Sequence, residues 1–77
     1  MNITTEERIR RNHNFLNIYC DLLKEEGYKI DNKSIGNSFE LHWYEPEGKE
    51  MKSMWGNMGT SMKKFEKWLI TNLRLKT

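Results

Sequence analysis

The stretch that decides the fold is Ser38-Phe39-Glu40-Leu41-His42-Trp43-Tyr44-Glu45-Pro46-Glu47-Gly48-Lys49-Glu50-Met51-Lys52-Ser53-Met54-Trp55. Its first seven residues alternate, with Phe39, Leu41 and Trp43 on one side and Glu40, His42 and Tyr44 on the other, the period of a half-buried strand. Glu45-Pro46-Glu47-Gly48 suits a type I turn with proline second and glycine in the left-handed position after it. Pairing Glu45 with Lys49 then sets Trp43 opposite Met51, Leu41 opposite Ser53 and Phe39 opposite Trp55 on the apolar face. On the other face Tyr44 meets Glu50 and His42 meets Lys52. A register with Trp43 opposite Glu50 and Leu41 opposite Lys52 is rejected, since it sets charge against apolar side chains.

Downstream, Gly56-Asn57-Met58-Gly59 breaks the strand. Thr60 or Ser61 is placed to cap a second helix whose buried stripe is Met62, Phe65, Leu69 and Leu73. Upstream, Tyr28 and Ile30 alternate with Lys29 and Asp31 in a short strand that ends in the turn-rich stretch Asn32 to Asn37. Before it, Thr4 and Glu7 form a capping box that starts a first helix. Ile9, Leu16, Tyr19 and Leu23 make its apolar stripe, widened by Phe15, Ile18 and Leu22, and Gly27 stops it at about residue 26. The expectation is an α+β fold in the order α-β-β-β-α. A three-stranded antiparallel sheet has two helices packed on one face, and residues 1–77 form a single domain. The face carrying Glu40, His42, Tyr44 and Lys52 stays in water.

The chain has 77 residues, enough for one small core and too few for two. Aromatic residues make up 12%, too many for a disordered tail, and no run approaches the roughly 18 apolar residues of a membrane span. Ala, Val and Gln are absent, a bias expected of AT-rich codons, and five Met with three Trp fill a core that lacks the small aliphatics. Cys20 stands alone and the amino terminus turns polar within a few residues, so the chain is expected in the cytoplasm with no secretory signal. The net charge of +2 is unevenly spread: residues 21–51 carry eight acids against four lysines, and from Lys52 onward six basic residues face the single Glu66.

No constellation for chemistry emerges. His13 and Cys20 share a helix face but lie two turns, about 10 Å, apart. No cluster of His, Cys and acids has ligand spacing, so neither a metal nor a cofactor is expected. No nucleophile, base and orienting group come together, so the chain is not expected to be an enzyme; His42 beside Tyr44 and Lys52 is the nearest approach to a site.

Lys63 and Lys64 fall in the expected first turn of the second helix, with Lys67 one turn on, opposing the helix dipole. Free N–H groups preceded by Gly59, Thr60 and Ser61 and flanked by two lysines suit a phosphate or carboxylate, against the plainer reading of a solvated face. The layout resembles that of double-stranded-RNA-binding domains in its order of elements. Gly59, Ser61, Lys63 and Lys64 echo that family's small-residue turn and lysine pair, although the spacing differs and Phe65 and Trp68 replace its small helix residues. The resemblance implies lysine contacts to phosphate.

Trp68 sits off the centre of the second helix's stripe, beside Lys64, as an interface anchor or as the edge of the core. Two functions are therefore expected in order. The first is a stand-alone regulator or inhibitor of the phage or mobile-element type, acting for example against host defence machinery, that docks on another protein through aromatic and Met surface. The second is a nucleic-acid-binding module using Lys63, Lys64, Lys67 and Arg74, helped by Arg8 and Arg11. A sequence pI of 8.8 is modest for a dedicated nucleic-acid domain, which places the protein partner first.

Overall fold

The computed structural model describes residues 4–74, with side chains as far as Asn72. Leu73 and Arg74, assigned above to the helix stripe and to the basic face, therefore lie outside the described side chains. The elements are α1 (Thr5–Glu25), β1 (Lys29–Asn32), β2 (Ser38–Tyr44), β3 (Lys52–Asn57) and α2 (Met58–Arg74). The sheet is antiparallel in the order β1-β2-β3, and both helices pack on one of its faces. The fold is the expected small α-β-β-β-α domain.

The Thr4 hydroxyl accepts from the Glu7 amide at the start of α1. At its end Gly27 takes a left-handed φ of 97°, and the amides of Gly27 and Tyr28 donate back to the Lys24 and Leu23 carbonyls. This is a Schellman cap, and its apolar pair, Leu23 and Tyr28, is buried in the core. Leu16, Cys20 and Leu23 form the buried stripe of α1, narrower than expected, while Phe15, Ile18 and Leu22 are largely exposed. From the sheet come Phe39, Leu41 and Trp43, and from α2 Met58, Met62, Phe65 and Leu69.

The β2–β3 register differs by one residue from the sequence expectation. Trp43 lies opposite Lys52, His42 opposite Ser53, Leu41 opposite Met54, Glu40 opposite Trp55 and Phe39 opposite Gly56. The turn explains part of the shift. Gly48 donates to the Glu45 carbonyl, but Glu47, not Gly48, takes the left-handed conformation at φ 61°, as in a type II turn. Lys49, Glu50 and Met51 stay outside the ladder, and the Lys52 ammonium closes the loop on the Glu45 carboxylate. Packing explains the rest. Because α2 lies close over β3, the inward position must be small: a Cβ on Gly56 would stand 2.6 Å from Ser61 Oγ. Gly56 and Met54 therefore face the helices, and Trp55 faces away.

α2 also begins earlier than expected. The chain passes from β3 into α2 without a loop, so Thr60 and Ser61 lie inside the first turns instead of capping them. The Met58 amide donates to the Asn37 carbonyl of the β1–β2 connection. That connection closes through reciprocal bonds between Ile35 and Ser38, with Gly36 at φ 56°, and His13 Nε2 of α1 donates to the Gly36 carbonyl at 2.8 Å. No helix among the described residues is long and apolar enough to cross a membrane.

Candidate binding surfaces

Among the described residues no element covers the sheet face away from the helices. Strand pairing sets three cross-strand rows on it: Lys33, Glu40 and Trp55; then Asp31, His42 and Ser53; then Lys29 and Tyr44, with Met51 at the rim. Trp55 is 70% exposed, Met51 54% and Tyr44 37%, a concentration of large apolar surface that water does not favour. Charge on this face is mixed and locally paired. His42 Nε2 donates to Glu40 Oε2 at 2.7 Å, and Lys33 lies 3.9 Å from Asp31. A shallow pocket at the β1 side is lined by Lys29, Asp31, Lys33, His42, Tyr44 and Met51.

Sequence reasoning placed Glu40, His42 and Tyr44 here but set Trp55 and Met51 on the core side and Lys52 in this face. The register reverses all three: Lys52 pairs with Trp43 and reaches Glu45, and Ser53 stands beside His42. The nearest approach to a catalytic group, His42 with Tyr44 and Lys52, is therefore not assembled. The signal in the sequence was Gly56, whose lack of a side chain marks where β3 meets a helix.

The second surface is the groove between α1 and α2. The helices run side by side in the same direction, since Arg8, Arg11 and Phe15 line this groove with Thr60, Lys63 and Glu66, while further on Tyr19 meets Glu66 and Leu69. Arg8, Arg11 and Lys63 are thus brought together from two elements. None of the three has an ion-pair partner among the described residues. The one acid in the lining, Glu66, is engaged by the Tyr19 hydroxyl at 2.6 Å, and that bond with burial pushes the Tyr19 pKa up to about 12.

Lys64 and Lys67 are exposed on α2, outside the groove lining. With α2 starting at Met58, Lys63 and Lys64 fall in its second turn, one turn further from the positive end of the dipole than expected. Trp68 is half-buried, its ring 5.3 Å from Trp43, 5.8 Å from Phe65 and 6.0 Å from Tyr28, so it closes one edge of the core. Cys20 is buried, and burial pushes its thiol up to about 11. Among the described residues no three His, Cys, Asp or Glu side chains gather as a metal set. No protein-family model, curated protein or solved structure matches this chain.

Proposed function

We propose that this chain is a non-catalytic binding module that docks on another protein through the open face of its sheet. The observation that carries the reading is the exposure of Trp55, Met51 and Tyr44 on a single uncovered face. Aromatic residues and Met are enriched at the centres of protein interfaces, and exposed rings with a charged rim supply the anchor and the specificity. The rim carries both signs, Lys29 and Lys33 with Asp31 and Glu40, which suits the mixed charge of a protein surface better than a row of phosphates. The role that fits is a regulator or inhibitor of the kind made by phages and mobile elements, for example against host defence machinery. A cytoplasmic setting is supported by the lone, buried Cys20 thiol.

The test is a photo-crosslinking residue at position 51, in cells that make the protein. The expected result is one dominant adduct with a different protein that Tyr44→Ala reduces about tenfold, the loss expected of a truncated aromatic anchor. A nuclease-sensitive adduct, or the same adducts from a crosslinker at Asp21 on α1, overturns the reading. The second reading, nucleic-acid binding, is favoured by the convergence of Arg8, Arg11 and Lys63 on one groove. It predicts duplex or single-strand binding that Lys63→Glu abolishes and that falls steeply between about 50 and 200 mM salt.

A further inference from the structure

The two edges of the sheet are guarded differently. β1 carries Lys29 and Asp31 at alternate positions, with Lys33 following, the usual defence of a free edge against pairing. β3, at the opposite margin, carries only Lys52, at its first position and drawn to Glu45. Its pairing with β2 is continuous from Ser38↔Asn57 to Trp43↔Lys52, so no bulge turns it away. Between Ser53 and Asn57 it has neither a charge nor a proline, and Trp55 stands 70% exposed.

We propose that β3 pairs antiparallel with β3 of a second copy of this chain, joining two three-stranded sheets into one continuous sheet. The choice of a second copy rests on charge. A two-fold axis sets a strand against itself, so a charged edge strand meets like charge, whereas the stretch Ser53–Asn57 is neutral throughout and meets no repulsion. With the axis at Trp55, that ring lies across from Trp55 of the second copy, Ser53 across from Asn57, and Met54 across from Gly56. Small residues thus leave room for the paired indoles. This register keeps both helix pairs on one side of the sheet and both open faces on the other. The pairing goes beyond the docking reading and does not depend on it.

The stretch that pairs about this axis is Ser53–Asn57, about 17 Å long, so the interface is at the small end and a micromolar dissociation constant is expected. Sedimentation equilibrium from about 1 to 300 μM tests it. The mass is expected to rise from 9.3 kDa toward twice that value, and the alternate amides of β3 that point away from β2, Ser53, Trp55 and Asn57, to gain hydrogen-exchange protection with concentration. Ser53→Lys and Trp55→Lys are each expected to raise the dissociation constant about tenfold or more with circular dichroism unchanged, while Lys29→Glu on the far edge leaves it alone. A protein that stays at 9.3 kDa throughout, or a dimer indifferent to both lysine variants or protected at another strand, overturns the proposal.

Discussion

Tyr19 joins the two helices through one hydrogen bond to the Glu66 carboxylate, and that bond makes the fold sensitive to alkali. The hydroxyl can donate only while it is protonated, so its pKa rises from 10.0 to about 12 in the folded chain. Between those values the folded state keeps a proton that the unfolded state has lost, and stability falls as pH rises through the interval. Below pH 10 the contribution is complete. Cys20 adds a second loss of the same sign, beginning lower, because its thiol moves from 9.0 to about 11 on burial. Tyr19→Phe is therefore expected to cost about 1 kcal/mol at neutral pH. It should also flatten the decline of the urea midpoint between pH 10 and 12, leaving the part between pH 9 and 11 that belongs to Cys20. An unchanged alkaline profile would mean that the bond does not form in solution. Nothing in the sequence pairs these residues, since they lie 47 positions apart and meet only because α1 and α2 run parallel.

At the scale of elements, the direct passage of β3 into α2 governs both the register and the exposed face. Gly56 has φ 156°, and an added Cβ would stand 2.6 Å from Ser61 Oγ. Gly56→Ala is thus expected to destabilise by about 2 kcal/mol, from overpacking against a buried helix position. The contact is with a single oxygen, so the Ser61→Ala background should relieve part of the loss, and the rest reports the backbone strain. A double-mutant cycle on urea midpoints measures the relief. Additive effects would show that the strand and helix are further apart. The two ends of α1 are legible in the sequence because they are local: Thr4 and Glu7 lie three residues apart, and Gly27 ends the apolar period. The β3–α2 junction is not. Gly56-Asn57-Met58-Gly59 has the composition of a loop, and only the burial of Met58 and its bond to Asn37 make it the end of a strand and the start of a helix.

For the whole molecule, one residue of register decides which aromatic rings the solvent meets. The alternation of β2 left no doubt about Phe39, Leu41 and Trp43, all buried. β3 was ambiguous, because Met51, Ser53 and Trp55 make as good an apolar series as Met54 alone with Gly56. Local pattern favoured burying the indole; the close approach of α2 reversed it. The same reversal exposes the candidate docking face, which could not be read from the sequence with Trp55 turned inward. Trp43 is in the core at 4% exposure, Trp68 is half-buried against it, and Trp55 stands in water. Fluorescence separates the two registers directly. In the observed one, iodide quenches chiefly Trp55 in the folded protein, and Trp55→Phe removes most of the quenched emission while changing the unfolding free energy by no more than about 0.5 kcal/mol, as for a surface substitution. In the register expected from the sequence, Trp55 packs against Phe39 beneath the helices, folded emission resists iodide, and Trp55→Phe costs stability as a core replacement does. The measurement is made at low protein concentration, where β3 edges are unpaired and quencher access reports the monomer fold alone.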